Sequence, residues 1–409
     1  MKILVISNNE LCYNPRLLKA ADYFSGKGAD VTIYNPITGI ASQSLYDQAV
    51  KNKGWRIIEN DISKRDFSSY INWLRIGLIH KVYSVLWNKF KFNAVFDKQF
   101  NKGLIGNKIN TTLPFDYVLI NLVDNLPFAC KIKQSTGAKI LYDSQEYFVG
   151  QYQKYSREKL AWVIRAEKMY IKRVDVLITT TNVMKERLIS DYQITIPSFR
   201  VRNLPSAEML IVKNEQMTIK TNAVYLVWHG MGIYLNNCRG VHILLQAIAK
   251  CTTKVVLVLQ GNLAMEQMVI LNKYKKDLVL DDKICIVPPA DPYAIVDSLR
   301  FYDIGLMGEL PEEDNQLLTS SNKLFDYLNA GLAVIAPDLP GLNETVKEKK
   351  VGLIYEPGNI DDLAKKIDFL VNNPEELNKY KSQAIDISKK ELYWENDFDN
   401  VWNYLNKWK

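Results

Sequence analysis

Histidine is nearly absent from this chain: three His and five Cys in 409 residues leave little raw material for a Cys/His metal site. The cysteines, Cys12, Cys130, Cys238, Cys251 and Cys285, stand far apart without any short pairing, which points to a reducing compartment and to no zinc. An uninterrupted apolar run of about 18 residues is also missing, so no membrane-spanning helix is expected. The opening residues Met1-Lys2-Ile3-Leu4-Val5-Ile6-Ser7 meet turn chemistry at Asn8-Asn9, too early for a signal peptide, and read as a first strand. The expected setting is cytoplasmic, free or resting on the inner face of the cell membrane.

What is present is ordinary globular material. A composition of 47% hydrophobic and 24% charged residues carries enough apolar mass for real cores. A chain of 409 residues exceeds what one core organises, and two domains fit best. Charge is unevenly placed. Between Lys64 and Lys108 nine basic residues (Lys64, Arg65, Arg75, Lys81, Lys89, Lys91, Lys98, Lys102, Lys108) face only Asp66 and Asp97, an excess equal to the +7 of the whole chain. Within that segment Ile79, Val82, Leu86 and Phe90 recur at helical spacing, opposite Lys81, Ser84, Asn88 and Lys91, with Trp73 and Trp87 nearby. A basic amphipathic helix of this kind suits an anionic membrane surface, and a basic solvated face over a core-packed one would read the same. Nucleic acid is not expected as a partner: no binding module is present, and a pI near 8.8 is mild for a dedicated binder.

Apolar strands alternate with helical patterns along the chain. In the first half the expected strands are Ile3 to Ser7, Val31 to Tyr34, Tyr117 to Asn121, Lys139 to Tyr142 and Val176 to Thr179, with helices notably over Arg16 to Lys27 and Glu158 to Arg173. The alternation restarts with Val224 to Trp228, Val255 to Leu259, Ile284 to Val287, Ile304 to Met307, Ala333 to Ala336 and Leu353 to Tyr355. Such alternation argues for parallel sheets covered on both faces, hence an α/β protein of two Rossmann-like, doubly wound domains facing a cleft. Pro197 to Thr221, with Pro205, reads as the connection. The expected domains are 1–206, 207–388 and a terminal helix 389–409 that crosses back to the first domain.

The most informative segment is Ser320-Ser321-Asn322-Lys323-Leu324-Phe325-Asp326-Tyr327-Leu328-Asn329-Ala330-Gly331, followed by the apolar strand Leu332-Ala333-Val334-Ile335-Ala336. Serines start helices well and Gly331 ends one. Asn322, Lys323 and Asp326 share a face, while Leu324, Phe325 and Leu328 point to a sheet. A helix start attracts phosphate through its free N–H groups and dipole, Lys323 adds a charge there, and Asp326 can accept from a ribose. A solvated helix with one Lys/Asp pair would look alike.

These residues resemble the nucleotide-sugar-binding domain of family 4 of the retaining glycosyltransferases (glycosyl transferases group 1), which have the GT-B fold. The similar subgroup carries a Ser/Pro-Asn-Lys-Leu-Phe-Glu-Tyr block before Ala-Gly and an apolar strand, and this chain keeps Asn322 to Phe325, Tyr327, Ala330 and Gly331 with Asp326 for Glu. Trp228-His229-Gly230 and Arg239-Gly240-Val241 resemble the family's glycine turn and basic-Gly pair, whose basic residue contacts the donor diphosphate. In the first half, Asn14-Pro15-Arg16, Tyr117 to Asn121 with Asp124, and Asp143-Ser144-Gln145-Glu146 resemble, more loosely, the acceptor domain's polar-Arg helix start, strand-to-acid turn and His-Glu block. The last stretch, Glu391 to Lys409 with Trp394 and Trp402, is similar to the family's crossing helix, so the likeness spans nearly the whole chain.

The resemblance implies transfer of a sugar from a nucleotide diphosphate (UDP or GDP) to a glycan or lipid-linked acceptor, with retention, without a metal or other cofactor, in cell-surface polysaccharide synthesis. It assigns Arg239, Lys323 and Gln145 to catalysis, Gly230, Ser321, Asn322, Asp326 and Glu309 to the donor, and Asn14, Arg16 and Asp124 to the acceptor side. Three positions depart from the pattern. The acid expected eight residues before Asp326 is Leu318, with Glu309, Glu312, Glu313 and Asp314 nearby as substitutes; position 145 is Gln where relatives have His; position 231 is Met where an Arg often follows the glycine. His229 and His242 are expected to be structural. The departures keep open a catalytically silent relative that binds nucleotide or glycan as an accessory subunit, and a sugar-nucleotide epimerase of the same fold is a further alternative.

Overall fold

In the computed structural model, residues 1–51, 53–90, 113–153, 157–210, 223–291 and 294–408 are described. The chain divides into two compact units, Met1–Thr180 with Lys185–Arg200, and Thr181–Met184 with Val201–Lys409. The division falls at Val201, ahead of Ala207, and the terminal helix belongs to the second unit.

The first unit runs β1 (Lys2–Ile6), α1 (Pro15–Gly26), β2 (Asp30–Ile37), α2 (Gln43–Val50), β3 (Arg56–Asp61), α3 (Phe67–Phe90), β4 (Tyr117–Ile120), α4 (Leu126–Thr136), β5 (Lys139–Ser144), α5 (Phe148–Gln151), α6 (Arg157–Tyr170), β6 (Val176–Thr179), α7 (Asn182–Tyr192) and β7 (Ser198–Arg200). Its seven strands are ordered β3-β2-β1-β4-β5-β6-β7, and every pairing is parallel. The central strands are mostly apolar, as burial on both faces requires: Ile3, Leu4, Val5 and Ile6 are all inaccessible to solvent. β3 and β7, which the sequence pattern did not separate from loop, are the two edges of this sheet. The connection read over Pro197 to Thr221 is corrected accordingly, since Ser198–Arg200 pairs with β6.

The second unit runs β8 (Val224–Gly232), α8 (Val241–Lys250), β9 (Val255–Asn262), α9 (Met265–Asp277), β10 (Ile284–Val287), α10 (Ile295–Leu299), β11 (Ile304–Leu306), α11 (Asp314–Leu318), α12 (Asn322–Ala330), β12 (Ala333–Pro337), α13 (Pro340–Val346), β13 (Gly352–Tyr355), α14 (Ile360–Asn372), α15 (Pro374–Glu391) and α16 (Trp394–Lys407). Its sheet is ordered β10-β9-β8-β11-β12-β13, again parallel. Apolar cores lie on both faces: Leu244, Ile248, Ile335 and Leu363 pack on one, Leu324, Leu328, Val334 and Val346 on the other. α16 is anchored by buried Trp394, stacked on Phe398 at 5.1 Å, and by Asp397, whose carboxylate takes the Arg202 guanidinium at 2.7 and 2.8 Å.

The basic segment forms a helix of a different kind from the one expected. α3 starts at a reciprocal Asp66/Ser69 cap (Ser69 N to Asp66 Oδ1, 2.8 Å) and runs to Phe90. It is apolar on both sides: Ile76 is buried and Ile79 and Leu86 are half-buried, yet Val82 and Phe90, which the sequence puts on one apolar face with Ile79 and Leu86, are exposed. Lys91, Asp97, Lys98, Lys102 and Lys108 lie outside the described residues.

Candidate functional site

In a doubly wound sheet, the loops beyond the carboxyl ends of the strands where the order reverses form the natural ligand crevice. The second unit reverses between β8 and β11. Residues from both strand ends, with the start of α12, form one cluster there.

Glycine makes that cluster possible. Gly240 caps α8 in the left-handed conformation (φ 66°), and a Cβ on it would meet the carbonyl oxygen of Gly308 at 1.7 Å. A Cβ on Gly308 would in turn lie 2.8 Å from the Gly240 oxygen, and Leu310 N donates to Cys238 O at 2.8 Å. The Arg239-Gly240 and Gly308-Glu309 segments therefore abut backbone to backbone. Gly230 is packed similarly, its oxygen 2.5 Å from where a Gly261 Cβ would stand.

α12 behaves as its sequence indicates at its end: Gly331 closes it with φ 80°. At its start, Ser321 is the N-cap residue but its hydroxyl does not cap the helix, and the Ser320 hydroxyl is buried without a partner among the described residues. The first-turn N–H groups thus lack side-chain acceptors, the property that suits an incoming anion. Lys323 is buried, not solvated. Its Nζ lies 3.2 Å from Glu309 Oε1, 3.4 Å from Ser321 Oγ and 5.4 Å from the centre of the Trp228 ring. The other Glu309 oxygen, Oε2, is buried with no hydrogen-bond partner. Asn322 is exposed and accepts from Asn203 Nδ2 at 3.0 Å, and the Arg239 side chain is exposed with no ion pair among the described residues.

Asp326 is half-buried, and its Oδ2 is 3.4 Å from His229 Nε2. The two are neighbours without hydrogen-bond alignment, and His229 is neutral: burial and the Lys323 charge push its pKa down to about 3. Tyr327, edge-on to the His229 ring at 5.2 Å, accepts from His229 N at 3.3 Å and donates to Leu306 O at 3.2 Å. Gly305 leaves the room for that ring, since a Cβ there would stand 2.3 Å from it. The sequence reading singled out Trp228-His229-Gly230 as a glycine turn and expected His229 to be structural, but did not foresee the Trp228 ring beside Lys323 Nζ or His229 beside Asp326. Met231 is 85% exposed.

The first unit reverses between β1 and β4, and Asn14 and Asp124 follow those two strands. Asn14 caps α1 through its side chain, accepting from Leu17 N at 3.4 Å. Asp124 accepts from Lys159 Nζ at 2.6 Å. Arg16 is buried, and its guanidinium grips Asp143 with two bonds of 2.6 and 2.8 Å. It thereby fixes the end of β5, two residues before Gln145, whose Nε2 is buried without a partner among the described residues. Beside the same loops Glu10, unnoticed in the sequence, accepts five bonds of 2.5 to 3.1 Å from Thr38 to Ala41. Burial raises its pKa, but the bonds from Thr38, Ala41 and Ile40 outweigh it and the net shift is downward. Among the described residues no group of three or more His, Cys, Asp or Glu is placed to hold a metal ion.

Residues 323–386, which begin at Lys323, match the family model described as glycosyl transferases group 1. No curated protein matches the chain. Solved structures that resemble it along its length include sucrose-phosphate synthase from Thermosynechococcus elongatus (TM-score 0.69, 13% identity, 100% of both chains covered). A glycosyltransferase from Rickettsia africae is similar at TM-score 0.66 and 15% identity, over 99% of this chain and 98% of that one. The Anabaena protein HepE, solved with UDP and glucose, is similar at TM-score 0.64 and 14% identity over 100% of both chains. The chain has the GT-B fold, two parallel-sheet α/β domains, and its residues 323–386 carry the pattern of glycosyl transferases group 1.

Proposed function

We propose that this protein is a retaining glycosyltransferase that moves a sugar from a nucleoside diphosphate to a glycan or lipid-linked acceptor, in cell-surface polysaccharide synthesis. The observation that carries the reading is the uncapped start of α12 with Lys323 buried beside it, at the point where the second sheet reverses. The abutting Gly240 and Gly308 backbones favour a ligand that approaches main chain closely. UDP is the favoured carrier, because the similar Anabaena protein was solved with UDP and with UDP-glucose.

In this reading the diphosphate sits against the first-turn N–H groups of α12. Its growing negative charge, as the anomeric bond breaks, is stabilised by Lys323, which Glu309 holds in place before the reaction begins, and by the exposed Arg239. Asp326, kept company by a neutral His229, accepts from the ribose, and Glu309 offers its unpaired oxygen to the donor sugar. Gly230, Ser321 and Asn322 border the same site. The leaving phosphate takes the proton of the incoming hydroxyl, so the reaction needs neither a protein base nor a metal, and Gln145 serves by hydrogen bonding alone. On the acceptor side Asn14 and Asp124 face the hydroxyl-bearing substrate, and Arg16 works indirectly by holding Asp143. The protein works peripherally at the inner face of the membrane, where a lipid-linked acceptor is presented.

Incubating UDP, GDP and ADP sugars with the protein, and following thermal stability and products together, tests this. A ligand present at about 100 times its Kd adds about 2.7 kcal/mol of stability. Selective stabilisation by one nucleotide, with transfer or slow donor hydrolysis at retained configuration, is expected; no stabilisation by any of them ends the reading. A silent accessory role is the second reading, favoured by the pairing of Lys323 with Glu309 and by Leu318 and Met231. It predicts nucleotide binding with neither transfer nor hydrolysis.

A further inference from the structure

α3 is unusual among the helices in what it shows to water. Its sequence from Phe67 to Phe90 contains no Asp or Glu and three bases, Arg75, Lys81 and Lys89. One side is held to the sheet edge: Asn72 Nδ2 donates to Asp61 O at 2.7 Å, and Ile76 is buried. The other side is an apolar stripe. At 3.6 residues per turn, Phe67, Ile71, Leu74, Leu78, Val82 and Val85 fall within about 80° of one another. All six are exposed, Phe67 by 80% and Leu78 by 66%. Arg75 and Lys81 border the stripe on opposite sides, and Lys89 lies near its end.

We propose that this stripe docks on an anionic lipid surface, with the six apolar side chains entering the headgroup boundary and Arg75, Lys81 and Lys89 meeting lipid phosphates. The inference deepens the membrane part of the proposed function and is independent of its donor chemistry. Charge selects the occupant. An apolar stripe rimmed by cations and carrying no acid complements a negatively charged, apolar-backed surface. A second copy of the chain fits less well, because pairing stripe to stripe sets these bases against their own counterparts with no acid of α3 to offset them. The helix lies in the surface and does not cross it: no described helix is long and apolar enough to span a membrane. Basic attraction alone would be released by salt, whereas stripe insertion predicts binding that salt weakens without abolishing.

The test is flotation of the whole protein with vesicles of phosphatidylcholine, alone or mixed with phosphatidylglycerol. Wild type is expected to float with the mixed vesicles. The pairs Ile71→Glu with Leu78→Glu and Lys81→Glu with Lys89→Glu, each checked by circular dichroism, should weaken that association by at least roughly tenfold. UDP binding should be unchanged in both, so loss of vesicle binding and loss of the donor site are read separately. Wild type that stays unbound, or an Ile71→Glu/Leu78→Glu protein that floats as wild type does, overturns the proposal. So does a dimer in sedimentation that the stripe substitutions dissociate while vesicles are ignored.

Discussion

Lys323 Nζ lies 3.2 Å from Glu309 Oε1 in a pair whose side chains are only 10% and 14% exposed, and the second Glu309 oxygen is buried with no partner. The pair is thus half-satisfied: a cation with one carboxylate contact, and a carboxylate with an acceptor to spare. Removing one member of such a pair leaves the other uncompensated. Lys323→Ala should lower stability by about 1–3 kcal/mol, the desolvation penalty of an orphaned polar group. Glu309→Gln in the same chain should recover most of that loss in urea titrations. If Lys323→Ala alone melts as wild type does, the pair is not structurally coupled as described.

Arg16 grips Asp143, and in the proposed reading it acts on the reaction through that contact, so its loss should act as a misplacement of the Asp143–Glu146 loop. Arg16→Ala leaves a buried Asp143 carboxylate without its two bonds of 2.6 and 2.8 Å and should cost about 3–5 kcal/mol. Arg16→Lys keeps the charge but not the fork, and should recover only part of this. Denaturant midpoints of the three proteins check the order; a fully recovered Arg16→Lys would mean that the charge alone matters.

Two buried groups should give the two units opposite responses to pH. Burial raises the Glu167 pKa to about 7, despite a 2.5 Å bond from the Tyr192 hydroxyl, so the folded first unit favours the protonated acid. Its contribution is full below the unfolded value near 4.5 and is lost as pH rises through about 7. His229 is the reverse case: with a folded pKa near 3, its contribution is full above the ordinary 6.5 and is lost as pH falls. Glu167→Gln should flatten the fall in thermal stability between roughly pH 5 and 8, leaving acid sensitivity in place. An unchanged profile would mean that Glu167 is ionised in the fold.

Asp326 and Lys323 occupy one turn of α12 but should fail differently on substitution. A ribose contact is made equally before and during bond cleavage, so Asp326→Ala should raise donor KM with little change in kcat. A KM left unchanged would remove Asp326 from the donor site.

Much of this architecture was legible because buried parallel strands are written in apolar residues. Tyr-Val-Leu-Ile in β4 and Ala-Val-Ile-Ala in β12 need no context to be read, and Gly331 stops α12 where it should. β3 (Arg-Ile-Ile-Glu-Asn-Asp) and β7 (Ser-Phe-Arg) were not, since edge strands are half solvated and admit polar residues. α3 was misjudged for a related reason. A single-face pattern assumes that the outer side is polar, and here the outer side is apolar too. In the site, Lys323 was legible as a charge at a helix start, but its burial under Trp228 and its pairing with Glu309, fourteen positions away, depend on loops whose meeting at Gly240 and Gly308 leaves no trace in local pattern.

Turnover by Lys323→Ala carrying Glu309→Gln, with folding matched to wild type, tests the donor site most directly. Because Glu309 is itself placed at the donor sugar, Glu309→Gln alone is the reference; the double substitution removes the buried-charge defect, so its difference from that reference is the loss of a preorganised cation at the diphosphate. Transfer or donor hydrolysis should fall in kcat by roughly 100- to 1,000-fold from that reference, the effect of losing about 2.7 to 4 kcal/mol of charge stabilisation. A folded double variant that turns over at a rate near that of Glu309→Gln would place the diphosphate elsewhere.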